Sequence, residues 1–439
     1  IDKVNQDYVP DNDRMINVDF FPYNDFCYMI YQYQKRSIVY CMAVKIDGNG
    51  KRASEVMQLD TTHIGFAANN KIYTVLSSED RSKIIVFKIN SRNRKLYAIT
   101  TILFNDKLEM LMKSRLSMPM QDRDNFLNEF HLDNDGDLVF AKFLRSSNDN
   151  IAQASFILKP AKVDSFVVND LNLDKTNLDE IHIKVDNFNK RYFLTSFYYK
   201  QRRGNVDGFY FYIWDEQNNK LIHEDTITFN NDLRKEAMGD ATIRTAFNDY
   251  FIRNIIIKKD GGFIIASECY YTTSRYNNWN RWDYIYGAPY ISPLDYYYYS
   301  PYYSNLWWNS RYGNQSNVRY HADDITILSF DREAKLQWST VIGKGQFDDQ
   351  SDDEISYQLM NTGGQLHFLF NELEKRTNLL NDYTISPDGT LNHNPTLKNL
   401  DRGYEFMPKY GKQVSAKQMI IPCIHRNLIC FAKIDYNQN

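Results

Sequence analysis

The chain has 439 residues, of which 43% are hydrophobic and 24% charged, with a formal net charge of −3. This is the composition of a globular chain with ample core, and the near-neutral balance argues against electrostatic capture of nucleic acid, which needs a concentrated basic face. No window is apolar for long enough to cross a bilayer as a helix, and 15% aromatic residues, with 33 Tyr against 18 Gly, lean the chain toward strands.

The chain begins at Ile1 without a visible signal peptide, and a removed leader leaves export open. From Asn24 onward one pattern recurs: a turn followed by a short, strongly apolar strand. Its first copy is Asn24-Asp-Phe-Cys-Tyr-Met-Ile30. Folding this region about Gln34 sets Cys27 opposite Cys41. A second hairpin type follows at Val44-Lys-Ile-Asp-Gly-Asn-Gly-Lys51, where an alternating strand ends in residues that tolerate positive φ at little cost.

The apolar-strand pattern returns at Asn69-Asn-Lys-Ile-Tyr-Thr-Val-Leu76, Asn134-Asp-Gly-Asp-Leu-Val-Phe140 and Asn189-Lys-Arg-Tyr-Phe-Leu194. It appears again at Asp260-Gly-Gly-Phe-Ile-Ile-Ala266, Gly363-Gly-Gln-Leu-His-Phe-Leu-Phe370 and Ser415-Ala-Lys-Gln-Met-Ile-Ile421. Taking Cys27, Ile72, Leu138, Tyr192, Phe263, Leu366 and Met419 as anchors, the intervals are 45, 66, 54, 71, 103 and 53 residues. The second hairpin returns at Val86–Leu96, Tyr212–Leu221, Leu328–Leu336 and Ile385–Leu391. Each unit therefore reads as strand, turn, buried strand, loop, alternating strand, turn, strand. That is one four-stranded propeller blade, and the repeat length sits at or above the familiar propeller periods. Asn105 to Ser117 is the best helical candidate, as a short connection between blades.

The chain is expected to be all-β: a single β-propeller of about seven four-stranded blades over residues 1–439. The last strand, Cys430-Phe-Ala-Lys-Ile-Asp435, matches Met42-Ala-Val-Lys-Ile-Asp47 and stops where other units continue. A ring missing one strand exposes unpaired amides, so a strand within Asp2 to Val9 is expected to join the C-terminal blade and close the ring.

Inside the fifth unit, residues 270–320 hold 14 Tyr and 4 Trp but no Phe, Lys or Glu. Pro289, Pro293 and Pro301 keep any regular element short. Tyr and Trp give large contact area with few rotatable bonds, the mixture used by antibody paratopes, and a long loop in a compact domain is usually functional or disordered. Tyr296, Tyr297, Tyr298, Tyr299, Tyr302, Tyr303, Trp307 and Trp308 are the expected partner-binding residues. A stacking surface for sugar rings is the second reading.

Chemistry is sparse. The eight histidines form no H-E-x-x-H or H-x-H pair, and His182 and His367 read as structural residues of alternating strands. There is no G-x-S-x-G elbow, Walker loop or G-x-G-x-x-G loop. No catalytic, cofactor or metal residue is therefore assigned. Asp133-Asn-Asp-Gly-Asp137 resembles a calcium loop, but its Gly comes too early and no Glu follows at the right distance, so it reads as a blade turn. Asp348-Asp-Gln-Ser-Asp-Asp-Glu354 reads as a solvated connection between blades, with a weak cation site as the alternative. Among the five cysteines, Cys423 and Cys430 flank a second short hairpin. An odd count fits a disulfide framework poorly, and Cys is commonly a small buried hydrophobe, so free thiols are expected and bridges are the alternative.

From about residue 245 onward several segments resemble envelope proteins of the Bacteroidota. They are Asp323-Asp-Ile-Thr-Ile-Leu-Ser-Phe-Asp331, Leu336-Gln-Trp-Ser339, Gln346-Phe-Asp-Asp349, Ser356 to Asn371, and Asn399-Leu-Asp-Arg-Gly-Tyr-Glu-Phe-Met-Pro408. One such class, which the chain resembles, is the plug subunit of the type 9 secretion translocon. The resemblance implies a non-enzymatic, protein-binding propeller on the periplasmic side of the outer membrane, with a large outer-membrane barrel as partner and no cofactor. It carries over no functional residues. The rival expectation is a secreted glycan-binding or glycan-cleaving propeller that uses the aromatic insert and the acidic loops.

Overall fold

The computed structural model describes residues 13–437 except 66, 69–70, 94, 121–124, 146–149, 240, 275–280, 282–297, 300–317, 350, 375–376, 395–402 and 427. Its strands fall into seven consecutive antiparallel sheets, the blade set of a seven-bladed β-propeller.

Sheet 1 is β1 (Arg14–Pro22), β2 (Phe26–Lys35), β3 (Ile38–Asp47) and β4 (Met57–His63), hydrogen-bonded in that order. Sheet 2 has β5 (Thr74–Ser77), β6 (Lys83–Asn93), β7 (Leu96–Asn105) and β8 (Met110–Pro119). Sheet 3 has β9 (Asn125–Leu132), β10 (Leu138–Leu144), β11 (Gln153–Lys159) and β12 (Val167–Asp170). In sheet 4, β13 (Asn177–Leu178) and β14 (His182–Asp186) share one edge of β15 (Arg191–Tyr199), followed by β16 (Gly208–Asp215) and β17 (Lys220–Thr228). A short helix, α1 (Asn231–Glu236), comes next, its first turn capped by Asn230 Oδ1 accepting from Leu233 N at 2.8 Å.

Sheet 5 is β18 (Tyr250–Ile257), β19 (Phe263–Ser274), then β21 (Val318–Phe330) and β22 (Leu336–Asp348). Between β19 and β21 the chain leaves the sheet, and its two-residue β20 (Tyr298–Tyr299) pairs with Asn90 and Ile89 of β6. Sheet 6 is β23 (Gln358–Asn361), β24 (Leu366–Glu374), β25 (Thr377–Ile385) and β26 (Leu391–His393). Sheet 7 has β27 (Tyr404–Phe406) and β28 (Lys412–Ser415) on one edge of β29 (Gln418–His425), and β30 (Leu428–Asp435) on the other.

The chain divides into two compact units: Ile1–Thr195, Tyr212–Ile222 and Tyr286–Asn309 form the first, and Ser196–Phe211, His223–Ile285 and Ser310–Asn439 the second. Within each, the strand period of two shows how one strand serves two neighbours. On β6, Ile84 and Val86 pack with Tyr28, Ile30 and Val39 of sheet 1, while Ile85, Phe87 and Ile89 pack with Leu127, Phe130 and Phe140 of sheet 3. On β24 of the second unit, Leu366, Phe368 and Phe370 pack against Ile264, Ile325 and Ile327 of sheet 5. Leu369 on the same strand turns the other way, onto Met419 and Ile421 of sheet 7. Burial on both faces is why the second strand of each sheet reads as a continuous apolar run. β15 is buried at all nine positions.

Six of the seven anchors lie on or at the start of a second strand, and Ile72 does not. It stands just before β5, and the second strand of sheet 2 is β6. The expected repeat had slipped by one strand there, because Ile72–Leu76 and Ile84–Ile89 are both short apolar runs. The expected helix at Asn105–Ser117 is instead a turn followed by β8. Asn105 Oδ1 accepts from Lys107 N and Glu109 N, Leu108 takes φ 62°, and β8 pairs with β7 along its length. Pairing to an existing edge overrides a weak local helix preference. The hairpin of Cys27 turns later than Gln34, so Cys27 faces Ile46 and Cys41 faces Gln32. β30 is the third strand of its sheet, as β3 is of sheet 1, and pairs with β29 alone among the described residues. The closing strand expected within Asp2–Val9 lies outside them.

Candidate functional site

Three places collect the polar and aromatic chemistry. The first is the base of the aromatic insert. β19 and β21 run on into the region assigned to the insert, pairing from Phe263↔Phe330 out to Ser274↔Val318. β22 follows them as far as Tyr320↔Asp348. These strands have 12, 13 and 13 residues. Tyr271 and His321 stack at 4.5 Å with planes 5° apart, and Arg319 lies 4.5 Å over the Phe347 ring. Arg319 also grips Asp349 with two hydrogen bonds, 2.6 and 2.9 Å. Phe347 itself is 54% exposed. Of the expected binding residues, Tyr298 and Tyr299 form β20, and Tyr296, Tyr297, Tyr302, Tyr303, Trp307 and Trp308 lie outside the described residues.

The second place, in the second unit, is a cleft of ≈ 270 Å³ lined by Arg253, Tyr270, Asp352, Ser356, Tyr357 and Lys409 among others. Under Arg253 and Ser356 sits an ion pair with both side chains fully buried: Lys344 Nζ lies 3.0 Å from Glu268 Oε1. Arg253 Nε approaches the other carboxylate oxygen at 3.3 Å, and the Ser356 hydroxyl donates to it. Lys344 also donates to the Ala322 carbonyl and to Gln346 Oε1, both at 2.6 Å. Burial opposes charge on Glu268, but the attraction of Lys344 and Arg253 and the donated hydrogen bonds outweigh it, holding the carboxyl below its usual value. Ser356 takes φ 76°, an unusual backbone for a residue with a Cβ.

At the rim Lys409 lies 2.8 Å from Asp352, the Tyr270 hydroxyl reaches the same carboxylate at 3.4 Å, and the Tyr410 hydroxyl donates to Asp353 at 2.6 Å. Asp352 and Asp353 of the acidic run are thus tied to Tyr270 of β19 and to Lys409 and Tyr410 of the 3-10 turn Pro408–Tyr410. Arg253, Glu268, Lys344 and Lys409 were not singled out in the sequence. The signal available was Glu268 itself, one acid in the apolar strand Phe263-Ile-Ile-Ala-Ser-Glu268. The cleft gathers charged pairs and phenol hydroxyls in a volume below the usual range for drug-sized ligands.

The third place, in the first unit, gathers Asp133, Asp135 and Glu216, whose carboxylate oxygens lie within 4.8 Å of one another. Asp133–Asp137 is the β9–β10 turn, as expected. Asp133 Oδ1 accepts from Asp137 N at 2.7 Å, and Gly136 takes φ 95°, where a Cβ would come 2.8 Å from Leu103. The Tyr192 hydroxyl donates to Asp133 at 2.6 Å. Lys190 bonds Asp135 and stands 3.6 Å from Glu216, supplying the positive charge that a bound ion would otherwise bring.

Burial and the hydrogen bond to Asp135 push Glu216 up to about 8. The folded chain therefore keeps a proton that the unfolded chain loses near 4.5. The stability that this group contributes is full below that pH and is lost as pH rises toward 8. Glu216→Gln, which keeps a donor for Asp135, should flatten this slope. By thermal melts at pH 9 it should be about 1–2 kcal/mol more stable than the parent, allowing for solvent at a turn. Parallel pH profiles for the two proteins would refute this account of the turn.

Both histidines expected to be structural are so placed. His367 is buried with Nδ1 3.0 Å from Asp382, and His182 sits 3.4 Å from Glu180. No helix among the described residues is long and apolar enough to cross a membrane.

No family model and no curated protein matches the chain. Among solved structures it is similar to the polysaccharide lyase Uly1, at 10% identity over 95% of this chain and 89% of that one, with a TM-score of 0.40. It is also similar to the β-propeller domain of the Trilobed protease from Pyrococcus furiosus, at 10% identity, 97% and 95% coverage and a TM-score of 0.37. A third is Pyrococcus horikoshii acylaminoacyl peptidase, at 10% identity, 94% and 49% coverage and a TM-score of 0.37. The expectation of a non-enzymatic chain is corrected here, because the solved structures it resembles are mostly enzymes.

Proposed function

We propose that this propeller is a partner-binding subunit of a cell-envelope assembly, held on the periplasmic side of the outer membrane. The Tyr-rich insert is its contact with a large outer-membrane barrel. The observation that carries the reading is the elongation of sheet 5, whose strands β19 and β21 continue as a paired ribbon into the insert with β22 alongside as far as Tyr320↔Asp348. The ribbon exposes Phe347 beneath Arg319, beside the stacked Tyr271 and His321. Aromatic and Arg side chains on a rigid base are the usual anchors of a protein interface. The resemblance to Bacteroidota envelope proteins supports a more specific form of this reading, in which the propeller is the plug of the type 9 secretion translocon.

Replacing residues 275–317 by a short Gly-Ser linker tests the reading in detergent-solubilised envelopes of the source organism. The intact chain should co-migrate with a large β-barrel, and the deleted chain should migrate alone while keeping its β-sheet circular dichroism. Unchanged co-migration of the deleted chain overturns the role of the insert, and recovery of the intact chain away from membranes overturns the location. A second reading, a small-saccharide binder, is favoured by the polar cleft around Arg253 and Lys409. It would show as glycan retention that survives the deletion and is lost in Arg253→Ala.

A further inference from the structure

β29 and β30 form a tight hairpin, and Cys423 and Cys430 are direct cross-strand partners in it. Their Sγ atoms lie 2.9 Å apart, and Cys430 Sγ also reaches the Cys423 carbonyl at 3.3 Å. Cys423 is buried and Cys430 half-buried. The other cysteines have no such neighbour across the ladder: Cys27 faces Ile46, Cys41 faces Gln32 and Cys269 faces Tyr250. Five cysteines therefore resolve into one apposed pair and three singles.

We propose that Cys423 and Cys430 form a redox modification site, a dithiol that a thiol–disulfide oxidant converts to a cross-strand disulfide. Directly opposed strand residues have Cα separations within the range a disulfide spans, so closure needs side-chain rotation rather than backbone movement. Cys430, the more exposed of the two, loses its proton and attacks the oxidant's disulfide, expelling one thiolate. Cys423 loses its proton and attacks the sulfur of Cys430 in the mixed disulfide, expelling the second thiolate. The two protein thiols give up two protons and two electrons, and the oxidant leaves as two thiols.

The site has a structural consequence. Among the described residues β30 pairs with β29 alone, and its Leu428, Ile429 and Phe431 are 71%, 70% and 69% exposed. One ladder holds this strand, and a covalent staple across that ladder keeps it from peeling. The bridge joins residues close in sequence, so its value lies in fixing the strand rather than in constraining a long unfolded loop.

The test uses the whole chain and glutathione disulfide as the oxidant. After exposure, unfolding and alkylation, labelled cysteines should fall from five to three and return to five after reduction. Trypsin cuts after Arg426, between the two cysteines, so the bridge should appear as the peptides 418–426 and 427–433 joined, lighter by two hydrogens than the pair of free thiols. Cys430→Ser should show four labelled cysteines before and after exposure. Five labelled cysteines after exposure of the intact chain, or a bridge mapped to any other pair, overturns the proposal. A fall in the labelled count in Cys430→Ser overturns it equally.

Discussion

Replacing Lys344 by methionine should destabilise the protein by about 3–5 kcal/mol, read from the shift of its urea unfolding curve. Methionine keeps most of the side-chain length and removes the ammonium. Glu268 would then remain as a fully buried carboxylate with Arg253, 3.3 Å away and 30% exposed, as its cation among the described residues. The Ala322 carbonyl and Gln346 Oε1 would each lose a donor now at 2.6 Å. Removing one partner of a buried pair costs far more than removing both, because the remaining charge stays out of water. The double variant Glu268→Gln with Lys344→Met should therefore recover most of the loss, and the two single costs should fail to add. Lys113→Met is the contrast. Its ion pair with Asp60 is 2.9 Å long, but the lysine is 49% exposed and Lys88 also holds Asp60, so about 0–1 kcal/mol is expected. A cost below 1 kcal/mol for Lys344→Met would mean that water reaches Glu268 and that the cleft floor is not sealed. The acid limb gives a second check. Glu268 titrates below its ordinary 4.5, so its contribution is present above that pH and fades as pH falls through the lowered value.

The parts that local chemistry dictates were readable from the sequence, and the parts that depend on who sits opposite were not. Turn residues such as Asp133-Asn-Asp-Gly-Asp137 and Ile385-Ser-Pro-Asp-Gly-Thr-Leu391 mark their hairpins because few residues accept positive φ. Continuous apolar runs mark the doubly covered second strands because both faces meet a neighbouring sheet. In sheet 2, by contrast, Ile72–Leu76 and Ile84–Ile89 carry the same signal, and strand order within a blade leaves no mark on either. Asn105–Ser117 fits a helical face, and only the open edge of β7 decides for a strand. The insert announced itself by composition, but the elongated strands that present it are visible only in their pairing. Glu268 and Lys344 belong to different strands of sheet 5, so no sequence spacing could join them.

Phe330 is the hydrophobic counterpart of that pair. Phe330→Ala should cost about 3–5 kcal/mol, whereas Phe188→Ala should stay within about 0.5 kcal/mol of the parent. Phe188 lies in the β14–β15 turn and is 80% exposed, so truncation there returns little apolar surface to water. Phe330 is fully buried at the end of β21, directly opposite Phe263 of β19, with ring centroids 4.7 Å apart and planes at 20°. Its other neighbour is Phe209 at the start of β16, 5.8 Å away and inclined by 18°. One ring therefore joins the third strand of sheet 4 to two strands of sheet 5. An alanine would leave a cavity between elements whose backbones are each hydrogen-bonded into their sheets. Such a site relaxes poorly, which places it toward the upper end of the range for a lost aromatic ring. If the measured cost were no greater than for Phe188, the two sheets would have to close over the gap, and the stacked Phe209, Phe330 and Phe263 could not be what holds sheet 4 against sheet 5.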